Sequence, residues 1–363
     1  MSWTKENLYH SSEAHFLALS NAIQNAKHSI DLEYYILGQD VLSYNFLTII
    51  TAAVKRGVKV RVLLDGIGSA NWSYRDAKRL IPEISLRFFH PLPWQREGGW
   101  IEAHARNWLT GLWKLNRRNH RKLCIIDGKR AILGGHNISA QHSSWRDSSV
   151  SIEGSEVQIL VQAFEMAWQN FDRLRQWVGD QPGCSSLVRL NVTPFQRKEI
   201  LNDLIRRIET AKTRIWITNA YFIPILRLTR ALRMAAQNGV DVKVLVPRKS
   251  DVRGIRWAIR SFYFYLLSSR IRIFEYYPSV LHAKIILIDG FATVGSSNLN
   301  HRSFLRDLEV DVVLESEKSI SDIESQFKND LEDSREVTLR SWSERTFIEK
   351  LLEFLAAGVR RWL

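Results

Sequence analysis

Two short stretches of this chain are copies of each other, and they constrain its fold more than any other feature. Residues 120–128 read HRKLCIIDG, and residues 282–290 read HAKIILIDG. Each stretch places a histidine and a lysine two positions apart, ahead of an apolar run and an Asp-Gly pair. A glycine follows each copy, with an asparagine three residues later, as GGHN at 134–137 and GSSN at 295–298. The same order occurring twice predicts a duplicated structural unit.

The segments around the two motifs repeat as well. Residues 57–64, GVKVRVLL, are echoed by residues 239–246, GVDVKVLV, and residues 84–91 are echoed by residues 271–278. The sequence distance between corresponding residues of the two halves is about 25 residues smaller at the motif histidines than in the segments that precede them. The first half must therefore carry an insertion just before its motif, and we assign this insertion to residues 92–119.

Strand and helix patterns alternate along both halves. Apolar periodicity predicts helices at 13–27, 45–55 and around 73–80, and strands at 29–36, 58–64, 84–89 and from about 118. This alternation predicts an α/β fold with a central sheet covered by helices. We expect an N-terminal repeat at 1–180, a linker at 178–186, a C-terminal repeat at 187–336 and a helical tail at 337–363.

Composition limits the kinds of protein that the chain can be. Its 363 residues suit two domains, and an apolar content of 45% predicts a packed globular protein. The net charge of +13 favours an anionic partner, namely nucleic acid, an acidic membrane or a phosphorylated substrate. Two cysteines, Cys124 and Cys184, imply no disulfide framework. The first 19 residues do not resemble a signal peptide, and no uncharged apolar stretch of ~20 residues could span a bilayer.

The motifs predict a site for a phosphodiester. Because side chains alternate along a strand, His120 and Lys122 share one face, as do His282 and Lys284. Two such pairs facing each other across a pseudo-two-fold axis would hold one phosphate, whose charge two lysines can offset without a metal. A unit charge pair at 4 Å is worth on the order of 4 kcal/mol at an effective dielectric of 20. Asp127 and Asp289 have the opposite parity and precede glycine, so within the motifs we assign them a supporting role at the strand end.

The histidines can carry out nucleophilic and acid–base chemistry. One imidazole can attack phosphorus to give a phosphohistidine, while the other protonates the leaving alkoxide and later deprotonates an incoming alcohol. Each histidine needs an acceptor on its second nitrogen. Acceptors occur 27 residues downstream, Asp147 after His120 and Glu309 after His282, and Asp307 competes with Glu309. Further supporting residues are Asn137, Asn298 and Ser296, of which Ser296 is predicted to contact phosphate.

These residues resemble the phospholipase D superfamily, whose signature is His-x-Lys-x4-Asp followed by Gly-Ser-x-Asn. Within that superfamily the chain is similar to bacterial cardiolipin synthases over nearly its whole length, including residues 57–69, 146–168, 221–224 and 295–304. Three positions depart from the pattern. Gly135 stands where serine is expected, which removes a possible phosphate-facing hydroxyl, Asp307 stands where these synthases often have asparagine, and Asn300 stands where aspartate is common.

The resemblance implies two pseudo-symmetric α-β-α sandwich repeats with the active site between them. It implies metal-independent phosphatidyl transfer between phospholipids, with phosphatidylglycerol as the expected lipid and no cofactor. The family habit makes His120 the nucleophile and His282 the general acid, although the pseudo-symmetry leaves the direction open from sequence alone. The expected motif residues of the catalytic site are His120, Lys122, Asp127, His282, Lys284 and Asp289.

Three segments suggest contact with anionic phospholipid on the cytoplasmic face of the cell membrane. The insertion contains Trp94, Trp100, Trp108 and Trp113 among basic residues, and it is either a packed lid or an interfacial segment. Residues 251–269 carry an arginine stripe that is either solvated or directed at phosphate or membrane. The tail is predicted as one amphipathic helix at 343–363, with Phe347, Leu351, Phe354, Leu355 and Val359 on one side. Docking of this helix onto its own domain, or onto a partner, is the alternative.

Other functions remain open at this level. The same phosphatidyl intermediate attacked by water would give a hydrolase that makes phosphatidic acid. An endonuclease of the same superfamily would suit the charge of +13, although interfacial tryptophans and the tail argue against a nucleic-acid partner. A non-catalytic lipid-binding protein is the third alternative, and two intact motifs argue against it. The oligomeric state does not follow from the sequence.

Overall fold

A computed structural model describes residues 2–96, 116–169, 187–252 and 254–359 of the chain. Its strands are β1 Lys5–Tyr9, β2 Ser29–Tyr34, β3 Lys59–Asp65, β4 Ser85–Phe89, β5 Leu123–Ile126, β6 Arg130–Gly134, β7 Ser149–Glu153, β8 Val188–Leu190, β9 Arg214–Asn219, β10 Asp241–Pro247, β11 Arg272–Tyr276, β12 Lys284–Ile288, β13 Phe291–Gly295, β14 Val310–Leu314 and β15 Ser334–Val337. Its α-helices are α1 Ser12–Gln24, α2 Val41–Lys55, α3 Tyr74–Leu80, α4 Val157–Gln169, α5 Pro194–Thr210, α6 Leu226–Gln237, α7 Ile255–Arg260, α8 Tyr263–Leu267, α9 His301–Leu305, α10 Glu317–Glu332, α11 Leu339–Ser343 and α12 Phe347–Val359.

The strands form two mixed sheets with the same topology. The first sheet has the order β1-β7-β6-β5-β2-β3-β4, and the second has the order β8-β14-β13-β12-β9-β10-β11, with β15 added beyond β11. In each sheet the motif strand, β5 or β12, lies at the centre and pairs antiparallel with β2 or β9. The predicted α/β fold with two repeats is therefore confirmed, and the two motifs occupy equivalent places.

The two sheets share a central apolar core. Leu123 and Ile125 of β5 point into it from one side, and Ile285 and Leu287 of β12 point into it from the other. Helices α4 and α10 fill the same layer through residues such as Phe164, Phe327 and Ile323. The alternate residues of the motif strands face outward, where α1 and α2 cover the first sheet and α5 to α8 cover the second. The motif histidines consequently lie beside the layer in which the repeats meet.

Several elements differ from the sequence-based expectations. Strand β1 was not predicted, because its alternating sequence KENLY is only partly buried and its formation depends on pairing with β7. Strand β5 begins at Leu123 rather than near residue 118. The tail helix predicted at 343–363 corresponds to α12 over Phe347–Val359, and a separate helix, α11, precedes it, with Trp342 buried in the outer core of the second repeat. Residues 97–115 of the insertion and the linker at 178–186 lie outside the described residues.

Candidate active site

Short bridges between the repeats position the two motif histidines. The backbone N–H of His120 donates to the carbonyl of Leu308 at 2.9 Å, just before β14 of the other repeat. The N–H of His282 donates to the carbonyl of Arg146 at 2.8 Å, just before β7. Each histidine segment therefore adds one parallel bridge to the opposite repeat. This arrangement fixes which side chains can reach the imidazoles.

Each histidine contacts a carboxylate of the opposite repeat. His120 Nδ1 lies 3.0 Å from Glu309 Oε2, and His282 Nδ1 lies 2.7 Å from Asp147 Oδ2. The prediction that Asp147 pairs with His120 and Glu309 with His282 is wrong, because the bridges place each carboxylate beside the histidine of the other repeat. Both carboxylates nevertheless contact a motif histidine.

The competing candidate, Asp307, has a different role. Its carboxylate accepts a hydrogen bond from the backbone N–H of Arg118 at 3.1 Å and pairs with the Arg302 guanidinium at 2.9 Å. These contacts hold the chain just ahead of His120. Asp307 therefore supports the bridge between the repeats, whereas Glu309 is the residue that reaches the imidazole.

The electrostatics of the site favour ionised carboxylates. Burial alone would raise the pKa of Asp147, yet His282 and Lys284 hold it well below its usual range. Burial likewise opposes ionisation of Glu309, but His120 and Lys122 lower its pKa to about 2. Burial and the charge of Lys284 lower the pKa of His282 to about 4. The contact directs Nδ1–H of His282 at Asp147, so that Nε2 is the nitrogen left for chemistry.

The two motif lysines are buried beside the histidines. Lys122 Nζ donates to the carbonyl of His120 at 2.6 Å, and Lys284 Nζ donates to the carbonyl of His282. Burial, assisted by the like charge of Lys284, lowers the pKa of Lys122 to about 7. Burial also lowers the pKa of Lys284 to about 8. Burial thus opposes the charged form of both amines, and a bound anion would favour their protonation.

Ser296 and Gly135 occupy equivalent positions but meet different carboxylates. Ser296 Oγ donates to Glu309 Oε2 at 2.6 Å, and Ser303 Oγ donates to Glu309 Oε1 at 2.6 Å. Ser296 thus positions Glu309, and its predicted contact with phosphate stays a prediction. A Cβ atom at Gly135 would overlap the carboxylate of Asp147. The glycine therefore leaves the space that the shorter side chain of Asp147 needs to reach His282.

Asn137 and Asn298 hold equivalent loops on either side of the site. The side-chain oxygen of Asn137 accepts the backbone N–H of Ile36, and that of Asn298 accepts the N–H of Tyr221, each at 3.3 Å. Both loops follow the central strands β2 and β9. Because the amide oxygen faces the backbone, the Nδ2 group is the end of each side chain that can donate to an anion.

The motif aspartates lie at the far end of the motif strands. Asp127 and Asp289 have φ angles of 51° and 48°, in the tight turns after β5 and β12. Asp127 accepts the backbone N–H groups at residues 27–29, and Asp289 accepts those at residues 212–214. At about 3.3 Å per residue, seven residues separate each aspartate from its histidine by roughly 20 Å. These two residues fix the start of β2 and β9 and do not reach the histidines.

Aromatic side chains to which the sequence assigned no role surround the histidines. The Tyr35 ring lies 4.9 Å from the His120 ring, and Trp145 and Tyr221 lie 5.3 Å and 6.3 Å from the His282 ring. The Tyr221 hydroxyl donates to Asp251 at 2.7 Å. The positions of Tyr35 and Tyr221, just after β2 and β9, are the signal that could have identified them.

Comparisons with known proteins identify the family of this chain. The chain matches the family described as "Cardiolipin synthase, PLD-like domain" over residues 19–168 and 204–331. A probable cardiolipin synthase of Bacillus subtilis is 31% identical over 97% of this chain and 71% of its own length. Cardiolipin synthase 2 of Bacillus cereus is 32% identical over 93% of this chain and 66% of its own length. The chain thus spans about two thirds of the length of these relatives.

Solved structures support the fold alone. A phosphatidylserine synthase of Haemophilus influenzae superposes with a TM-score of 0.75 at 14% identity, covering 99% of this chain and 95% of that one. A polyphosphate kinase of Porphyromonas gingivalis gives a TM-score of 0.63 at 14% identity, covering 98% of this chain and 53% of that one.

Two α/β repeats with one His-x-Lys motif each, meeting around paired histidines, define the phospholipase D class of fold and site. The family match and the relatives make the assignment narrower. The chain belongs to the cardiolipin synthase family of the phospholipase D superfamily.

Proposed function

We propose that the protein is a phosphatidyltransferase of the cardiolipin synthase type, which joins two molecules of phosphatidylglycerol and releases glycerol. The observation that carries this proposal is the pair of histidine–carboxylate contacts made across the two repeats, with one buried lysine beside each histidine. Membership of the cardiolipin synthase family supports the choice of substrate.

The chemistry proceeds in two displacements at phosphorus. In the first, Nε2 of His120 forms a bond to phosphorus, the bond from phosphorus to the glycerol oxygen breaks, and His282 gives its proton to that oxygen. In the second, His282 takes the proton from a hydroxyl of the second lipid, whose oxygen replaces His120 on phosphorus. Asp147 and the phosphodiester anion both favour the protonated form of His282 that the first step needs.

The other residues bind and orient the reacting groups. Lys122 and Lys284, with the Nδ2 groups of Asn137 and Asn298, donate to the phosphoryl oxygens. Glu309 holds Nδ1–H of His120 and thereby directs its Nε2 lone pair at phosphorus. No metal or cofactor takes part in these steps. We also propose that the protein acts as a peripheral protein on the cytoplasmic face of the membrane.

The test is product analysis with purified protein and phosphatidylglycerol vesicles, with and without EDTA. We expect cardiolipin and glycerol in both conditions, and no turnover by His120→Ala or His282→Ala variants. Phosphatidic acid as the main product would identify a hydrolase. Loss of activity in EDTA would contradict the metal-independent mechanism, and nicking of plasmid DNA that disappears in His120→Ala would indicate an endonuclease.

A second measurement assigns the nucleophile. Acid quenching during turnover, followed by mass spectrometry under conditions that keep phosphohistidine intact, is expected to place the phosphatidyl-derived label on the peptide that contains His120. A label on the peptide that contains His282 would reverse the two roles and leave the rest of the proposal unchanged.

A further inference from the structure

Helix α12 presents its apolar side outward. Phe347, Ile348, Leu351, Phe354 and Leu355 are spaced along one face of the helix, and they are 78%, 68%, 45%, 77% and 58% exposed. A surface helix of a globular protein ordinarily turns such a stripe towards the core and its charged residues towards water. Among the residues that the structure describes, this stripe is therefore the clearest exception to normal burial.

The acidic side of α12 faces the protein instead. Glu353 is 4% exposed and contacts the guanidinium groups of Arg260 and Arg345, at 3.6 Å and 2.9 Å. Glu349 lies 3.2 Å from the Arg260 guanidinium and 3.9 Å from that of Arg256. Arg256 and Arg260 belong to the arginine stripe predicted from the sequence, and both pair with carboxylates of α12, although Arg260 also lies 3.8 Å from Glu275 of β11. The ion pairs fix the rotation of α12 and keep its apolar residues on the outer side.

Helix α12 is connected to the candidate site through α7. Helix α12 packs against α7, which begins four residues after Asp251. The Asp251 carboxylate accepts the Tyr221 hydroxyl, and the Tyr221 ring lies 6.3 Å from the His282 ring. Two further apolar residues near α7 in the sequence are also exposed, namely Val252 ahead of α7 and Phe264 on α8. The chain therefore runs from the Tyr221 contact at Asp251 into the helix against which α12 packs.

We propose that the outer face of α12 is a docking surface for an anionic lipid bilayer. The rings of Phe347 and Phe354, each more than three quarters exposed, can enter the boundary between headgroups and acyl chains. The exposed Lys350 on the same helix and the net charge of +13 favour an anionic membrane over a neutral one. This inference rests on the proposed function only where it takes the lipids of the bilayer to be the substrates of the enzyme.

The test is sedimentation of the full chain with sucrose-loaded vesicles of phosphatidylcholine containing about 30 mol% phosphatidylglycerol. We expect the double variant Phe347→Ser/Phe354→Ser to weaken binding at least tenfold, corresponding to about 1.4 kcal/mol. The matched control is Phe195→Ser on α5, whose side chain is also exposed, at 67%, and this variant is expected to bind vesicles as the wild type does.

Turnover of a short-chain phosphatidylglycerol below its critical micelle concentration separates docking from chemistry. The double variant is expected to process this monomeric lipid at the wild-type rate and vesicle lipid slowly. If the wild type binds vesicles but turns over neither lipid, the proposed function fails and the docking surface stands. Unchanged vesicle binding by the double variant would overturn the docking surface. If the wild type is a dimer and the double variant is a monomer that binds vesicles equally well, the apolar face is an interface between copies of the chain.

Discussion

Gly135 stands where the family signature has serine, and the structure gives a reason for the exchange. A side chain at this position would overlap the Asp147 carboxylate that contacts His282. We therefore expect Gly135→Ser, although it restores the common residue, to lower kcat by about 10²-fold or more, because Asp147 would be displaced from His282. The measurement is steady-state turnover together with the thermal unfolding temperature.

The matched control for this change is Ser296→Gly in the second repeat. It removes one hydrogen bond to Glu309 while Ser303 continues to donate to the same carboxylate. Its loss of activity should be smaller than that of Gly135→Ser. A Gly135→Ser protein with wild-type turnover would show that the distance between Asp147 and His282 does not limit the reaction.

The crossed histidine–carboxylate pairs can be tested one residue at a time. Glu309→Gln should alter the Nδ1 environment of His120, and Asp147→Asn should alter that of His282, because each carboxylate contacts the motif histidine of the opposite repeat. Nitrogen-15 NMR of labelled histidines would report the change in tautomer, and kcat should fall by about 10²–10⁴-fold. A perturbed His282 signal in Glu309→Gln, with His120 unchanged, would restore the pairing within each repeat.

The buried lysines predict that binding of a simple anion takes up protons. In the free protein burial lowers the pKa of Lys122 to about 7 and that of Lys284 to about 8, from the usual 10.5. At pH 8 both are partly deprotonated, and a bound sulfate would restore their protonation, so about one proton should enter per sulfate. Sulfate affinity should consequently fall as the pH rises from 7 to 10.

Calorimetry in two buffers of different ionisation enthalpy measures this uptake. The Lys122→Met variant should take up fewer protons and bind sulfate more weakly. An observed enthalpy that is the same in both buffers would mean that the lysines keep their charge in the free protein.

At the scale of secondary-structure elements, the sequence predicted what depends on local patterns. Strands β2 and β3 and helices α1 and α2 follow from apolar periodicity, and the repeated segments placed them in equivalent positions. The contact of each carboxylate with the histidine of the other repeat was not predictable, because it depends on bridges between residues far apart in sequence, such as Asn119 with Leu308. The orientation of α12 was also not predictable, since a helical pattern defines an apolar and a polar face without indicating which of them packs against the protein.

Helix α10 contributes a buried ion pair that links the two repeats. Arg146 Nε and Nη2 donate to the two oxygens of Asp330 at 2.8 Å and 2.7 Å, and both side chains are almost fully buried. Asp330→Asn would leave the Arg146 charge without its counterion, which we expect to cost about 3–5 kcal/mol of unfolding free energy. Because Arg146 precedes Asp147, turnover should fall as well.

Chemical denaturation and turnover assays check this expectation, with Glu324→Gln on the same helix as the control. Glu324 pairs with Arg214 near the surface, where such a pair contributes about 0–1 kcal/mol. Similar unfolding free energies for the two variants would show that the Arg146–Asp330 pair adds little beyond its own desolvation cost.

At the scale of the whole molecule, the two repeats should unfold together. Their sheets face a single core, to which β5 and β12 contribute from opposite sides, and Trp3, ahead of β1, donates from its indole to the carbonyl of Val313 in β14. Separating the repeats would expose this core and break both histidine–carboxylate contacts. Scanning calorimetry of the full chain should therefore show one transition, with a calorimetric enthalpy equal to the van't Hoff enthalpy. Asp330→Asn should shift this whole transition to lower temperature. Two resolved transitions, of which only one moves in the variant, would mean that the repeats are independently stable domains and that the site forms when these preformed halves dock.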